Sequence, residues 1–200
     1  MSQVVLRQPS TGVVRGLLDD LNGRYHRAAL WGFMAIVLAH WAEHVVQAIQ
    51  VFVLGWERPA SRGVLGLAFP WLVSSEALHY FYAIVMLLGL ILLRPGFTGR
   101  AATWWNVAIG IQFWHHIEHA LLLGQVAVGA NLLGKEMPTS IAQLLIQRVE
   151  LHLLYNAAVF VPMVIAMVYH VFPSEKERHE VSCTCARHTR KELAAAGRGA

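Results

Sequence analysis

Charge is scarce in this 200-residue sequence: Asp, Glu, Lys and Arg make up 14% of it, against roughly 25% in a soluble domain. Cysteine is scarcer still. The only two, Cys183 and Cys185, lie in the C-terminal stretch, so no disulfide crosses the apolar body of the chain. There is no glycine-rich phosphate loop, no dinucleotide fingerprint, no nucleophilic triad pattern and no basic patch interleaved with aromatics. Those absences exclude the common nucleotide and acyl-transfer chemistries and a nucleic-acid partner. The N-terminal stretch does not read as a secretory signal, since the first apolar run comes late and is too long for one.

Apolar length is what the sequence has instead, with 56% of residues hydrophobic. Runs at 30–54, 65–93, 104–133 and 141–172 each meet or exceed the roughly 20 residues that cross a hydrocarbon core. They predict an all-α integral membrane four-helix bundle with spans at about 28–54, 68–93, 103–133 and 139–172. Residues 1–27 form a leader, with 13–21 suited to a short amphipathic helix on the bilayer surface. Residues 174–200 read as a flexible basic tail. Basic residues collect before the first run (Arg7, Arg15, Arg24, Arg27), after the second (Arg94, Arg100) and after the fourth (Lys176, Arg178, Arg187, Arg190, Lys191, Arg198). The positive-inside rule then puts both termini in the cytoplasm of a multi-pass inner or plasma membrane protein. The net charge of +4 reflects that topology and anionic lipid.

Against this background the ionisable residues inside the runs stand out. The first run carries His40-Trp41-Ala42-Glu43-His44 and the third carries His115-His116-Ile117-Glu118-His119. These match at an offset of 75, as do Gln50 and Gln125. The following runs match at 73, His79 with His152 and Tyr82 with Tyr155. The chain reads as two copies of one helical hairpin, related by a pseudo-twofold axis along the membrane normal.

Helical spacing puts i, i+3 and i+4 on one face. His40, Glu43 and His44 therefore share a face, as do His115, Glu118 and His119, and also Glu76 and His79. Glu150 and His152 are i, i+2 and point about 200° apart on a regular helix. Glu150 is accordingly expected to face Arg148 or other polar groups if His152 faces the centre. His116 falls off the shared face, and His26 and His170 are placed near the interface, where they need no partner.

A charged group at bilayer centre costs about 2.5–3.5 kcal/mol on insertion scales. A cluster of this size is tolerable only if its members are paired or bind metal. Imidazoles and carboxylates with twofold symmetry in a four-helix bundle are the donors of dinuclear iron or manganese sites. The high histidine share also suits copper or zinc. The candidate ligands are His40, Glu43, His44, Glu76, His79, His115, Glu118, His119, Glu150 and His152. Tyr82 and Tyr155, one turn from His79 and His152, are candidate radical or proton-relay groups. The clustered histidines resemble in a general way those of membrane di-iron hydroxylases and desaturases, although His115-His116-x-x-His119 runs opposite to their His-x2-3-His-His box. That likeness implies a histidine-rich iron site.

Three functions follow as expectations. The first is a membrane oxidoreductase, with a transition metal, iron foremost, acting on a quinone or other lipophilic molecule and served by an electron-donor protein. The second is a haem b electron carrier with bis-histidine ligation, which leaves the glutamates unexplained. The third is a divalent-metal or proton transporter, which with four helices per chain would demand a homo-oligomer. In the tail, His179, Cys183, Cys185 and His188 offer donors for Zn(II) or Cu(I), in a spacing that fits no strong zinc pattern.

Overall fold

The computed structural model describes residues 10–178 and residue 185. Among them it is helical throughout, with no strand. The helices are α1 (Ser10–Asn22), α2 (His26–Phe52), α3 (Gly63–Ala68), α4 (Pro70–Ser74), α5 (Glu76–Leu93), α6 (Gly99–Val128), α7 (Arg148–Val171) and α8 (Glu175–Arg178). The four long helices touch in a closed order: α2 packs on α5, α5 on α6, α6 on α7 and α7 on α2.

Three segments, His26–Phe52, Glu76–Gly96 and Arg148–Val171, are long and apolar enough to cross a membrane. At 30 residues α6 is long enough but is not among them. Gln112, His115, His116, Glu118 and His119 interrupt its apolar length.

Periodicity explains the core. Leu30, Phe33, Met34 and Val37 form one face of α2 and are buried against Met86, Leu90 and Leu93 of α5. Ala101, Trp105 and Ala108 of α6 and Val159, Met163 and Ala166 of α7 complete it. Trp105 is fully enclosed, and its Nε1 donates to the Leu90 carbonyl at 2.8 Å, which satisfies the indole at no cost in packing. The opposite faces expose Trp31, Phe52, Phe81, Leu88, Phe113, Leu154 and Val161.

Two predicted spans are shorter in the structure. The stretch 68–93 is broken into α4 and α5, with α3 just ahead. Phe69, held out of the helical region by Pro70, separates α3 from α4. Ser75 then takes an extended conformation and caps α5 by accepting from the Leu78 N–H. The stretch 139–172 becomes helical only at Arg148. Upstream, backbone donors are captured by side chains: Thr139 N–H by Gln125, Ser140 N–H by Gln143 and Ala142 N–H by Glu118. A loop with one 3-10 turn at Ala142–Leu144 results. The third span is instead shifted toward the N-terminus, from Gly99 to Val128, where Gly129 takes a left-handed conformation. In the leader, α1 is a helix, and Asn22 ties its end to α5 by donating to the Leu92 carbonyl and accepting from the Gly96 N–H. Residues 1–9 of the leader and the tail beyond 178, Cys185 excepted, lie outside the described residues.

Candidate metal centre

Helix α2 presents His40 and His44 one turn apart, and their Nε2 atoms lie 3.0 Å from each other. Helix α6 repeats this with His115 and His119, whose Nε2 atoms are 3.2 Å apart. Helices α5 and α7 add His79 and His152 near their N-terminal ends. The rings form one cluster: His152 lies 5.1 Å from His44, 5.4 Å from His119 and 5.6 Å from His115 between centroids. His79 lies 6.1 Å from His119 and 6.2 Å from His152.

Three of these rings have their proton positions dictated by a neighbour. His152 Nδ1 sits 2.8 Å from the Arg148 carbonyl, and His79 Nδ1 sits 3.1 Å from the Ser75 carbonyl. His44 Nδ1 sits 2.7 Å from Gln47 Oε1. An oxygen of that kind only accepts, so Nδ1 carries the proton and Nε2 keeps its lone pair. This is the usual way a protein orients a histidine toward a metal.

The tightest grouping is His115, His119 and His152, whose ligand atoms all lie within 4.8 Å of one another. His152 Nε2 is buried there without a hydrogen-bond partner. Two imidazoles on one ion at bonds of about 2.0–2.1 Å sit about 3.0–3.4 Å apart. The His115–His119 spacing fits that, and an N–H···N hydrogen bond would also satisfy it. The third ring is what a hydrogen bond leaves unexplained, since a buried lone pair with no donor is costly.

A cavity of about 20 Å³ adjoins the cluster, lined by His40, His79, His115, His119 and His152 together with Tyr82, Gln112 and Asn156. That is room for one water-sized species. A second cavity of about 690 Å³ reaches the cluster from the side of the 53–62 and 129–147 connections, past Arg58, Arg62 and Gln147. His79 and His152 line both cavities.

The glutamates predicted beside the histidines are held elsewhere. Glu43 accepts from the Val64 and Leu65 N–H groups at 2.8 and 3.0 Å and so caps α3. Gly63, just ahead, has φ +72°, and a Cβ there would overlap the Glu43 carboxylate. Glu118 accepts from the Ala142 N–H at 2.8 Å. Glu76 grips Arg148 through two contacts of 2.5 and 2.8 Å, and Glu150 pairs with Arg58 at 2.7 Å. Glu150 thus turns away from His152, to a partner on the far loop rather than to Arg148. Gln50 and Gln125 clamp the same connections, Gln50 through both polar groups of Gly63 and Gln125 through those of Thr139.

The tyrosines pack on the histidines. Tyr82 stacks on His40 at 3.8 Å, its hydroxyl donating to the Ile36 carbonyl, and the Tyr155 ring lies 4.3 Å from His115. His116 stacks on Tyr80, away from the cluster. His26 and His170, expected to need no partner, meet each other. Both are fully buried, edge to face at 5.1 Å. Sequence periodicity gave no signal for that meeting, because it joins opposite ends of the chain.

Compared with protein-family models, with curated proteins and with solved structures, the chain matches none.

Proposed function

We propose that the chain is an integral-membrane metalloprotein whose six clustered histidines hold a dinuclear transition-metal centre, and that it carries out a redox conversion of a lipophilic molecule such as a quinone. The observation behind this reading is the convergence of His115, His119 and His152, whose ligand atoms lie within 4.8 Å of one another, with His152 Nε2 buried and without a hydrogen-bond partner. The second metal position is assigned to the other rings, of which His40 and His44 lie Nε2 to Nε2 at 3.0 Å.

In this reading α6 is a fourth span beside the three apolar ones, and the four long helices form a pseudo-twofold bundle of two hairpins. Recurring contacts support the repeat. Each half has an Nε2-to-Nε2 pair one turn apart, a histidine whose Nδ1 donates to the carbonyl four residues back, and a tyrosine against the outer ring. Both termini face the cytoplasm by the distribution of Lys and Arg.

All-imidazole ligation suits copper, zinc or a histidine-rich iron site. A redox role selects iron or copper. Such a metal supplies one-electron chemistry when bound. The chain's own part is orientation and exclusion: carbonyls fix three rings, Trp41 and Phe160 stack as an apolar wall, and the glutamates hold the loops that roof the site. The tyrosine hydroxyls are candidate relay groups, and an electron-donor protein is the implied partner.

A second reading, passage of a divalent ion, draws on the 690 Å³ cavity, which leads polar side chains down to His44, His79 and His152. The haem b alternative has less support, because a 20 Å³ space among close-set rings suits ions better than a macrocycle.

Metal analysis with an absorption spectrum on detergent-purified protein separates the three. About two iron or copper ions per chain without a Soret band support the dinuclear centre. A Soret band would replace that reading with a cytochrome. Protein that holds no metal but lets divalent ions into liposomes would replace it with a transporter.

A further inference from the structure

At the other end of the helices a second set of metal donors comes together. His26 opens α2, His170 lies in the last turn of α7, and Cys185 follows α8. Their ligand atoms all lie within 4.8 Å of one another. The two imidazoles are fully buried and the thiol is half-buried. Phe97 packs against both rings, 5.4 Å from His26 and 4.7 Å from His170, and gives the group an apolar wall.

Other contacts fix the elements next to these donors. Asn22 fastens the end of α1 to the turn after α5, immediately ahead of His26. Glu177 fastens α8 to the start of α6: it accepts from Arg100 through the backbone N–H and the guanidinium, and from the Ser174 hydroxyl.

The group is separate from the six-histidine cluster. Along α2, His26 precedes His40 by about 21 Å of helix rise, and along α7, His170 follows His152 by about 27 Å. The donors differ too. Two imidazoles and a thiolate make a borderline-to-soft set, which selects Zn(II) or Cu(I) over oxygen-seeking ions. With Zn–N near 2.0–2.1 Å and Zn–S near 2.3 Å, tetrahedral donors sit about 3.3–3.6 Å apart. The three present here need to draw in by little more than 1 Å.

We propose that His26, His170 and Cys185 form a second, mononuclear site for a thiophilic d10 ion, Zn(II) or Cu(I), which pins the C-terminal tail to the cytoplasmic end of the helices. The orientation of that end rests on the topology read above, and the site itself does not.

The test uses the full-length protein in detergent, stripped of metal and titrated with Co(II) as a spectroscopic probe. The expected result is a thiolate-to-Co(II) charge-transfer band that saturates at one ion. Cys185→Ser should abolish the band, and His170→Asn should weaken binding at least tenfold. His152→Ala, which disables the other centre, should leave the band in place. Stoichiometric Zn(II) or Cu(I) is then added to the cobalt form, and whichever removes the band at one equivalent identifies the ion. A wild-type protein with no band overturns the proposal, as does a band that survives Cys185→Ser. Should His170→Asn fail to fold, seen as lost helical circular dichroism, Cys185→Ser decides alone, since a half-buried thiol tolerates a hydroxyl. Wild-type protein that takes up no metal at the six histidines yet shows the thiolate band would reject the first reading and keep this one.

Discussion

Arg148 and Glu76 face each other across α7 and α5, with the two terminal guanidinium nitrogens each donating to one carboxylate oxygen. The same arginine's carbonyl accepts from His152 Nδ1. One residue therefore joins the first turns of two helices and sets the orientation of a ring in the cluster. The Glu76 side chain is 11% exposed, so losing its partner leaves a largely buried charge.

Glu76→Gln and Arg148→Met should each destabilise the protein by about 2 kcal/mol, and the double variant by less than the two together. Thermal unfolding in detergent measures this. Additive effects would mean that the pair contributes no coupling energy.

His152→Ala should lose most of the bound metal of the six-histidine centre, because it removes a ring whose ligand atom lies within 4.8 Å of those of His115 and His119. His116→Ala is the control. Its ring stacks on Tyr80 and lies outside the group, so metal content should stay at the wild-type level. Equal metal in both variants would argue against His152 as a ligand.

Gly63→Ala should destabilise by about 1–3 kcal/mol, since φ is +72° and the added carbon meets the Glu43 carboxylate. Glu43→Gln keeps the shape and weakens only the charge on the two N–H bonds, so its effect should be smaller. A Gly63→Ala protein as stable as wild type would show that α3 shifts freely.

The docking of α8 should depend on acid. Hydrogen bonds from Arg100, and then from Ser174, hold the Glu177 carboxyl well below the usual carboxylate range. A group lowered in this way stabilises the docked form at any pH above its ordinary value of about 4.3. The contribution fades as the pH falls below that, toward the lowered value. Hydrogen-exchange protection at 174–178 should accordingly be constant from neutral pH to about 5 and drop by pH 3. In Glu177→Gln it should be weaker throughout and flat with pH. An identical pH profile in the variant would move the effect to another group.

Several features were legible from spacing alone. His40 with His44 and His115 with His119 are i, i+4 pairs, and helix geometry stacks such residues whatever surrounds them. The apolar faces of α2 and α5 follow from the same periodicity. The Glu76 and Glu118 environments were not legible. Both glutamates sit at spacings that put them beside histidines, yet long-range donors claim them: Arg148 is 72 residues from Glu76 and the Ala142 N–H is 24 residues from Glu118. The late start of α7 has the same origin, because the N–H groups of Thr139, Ser140 and Ala142 are taken by side-chain acceptors.

By itself, then, the sequence determined that the chain is helical, that its apolar lengths suit a bilayer, and that its histidines recur on the faces that pack together. These are consequences of composition and of a local period. Tertiary structure decided which partner each charged group takes, where the second and fourth apolar runs break, and that His26 meets His170 and Cys185. Those outcomes depend on hydrogen bonds and contacts between distant residues, for which a linear spacing carries no information.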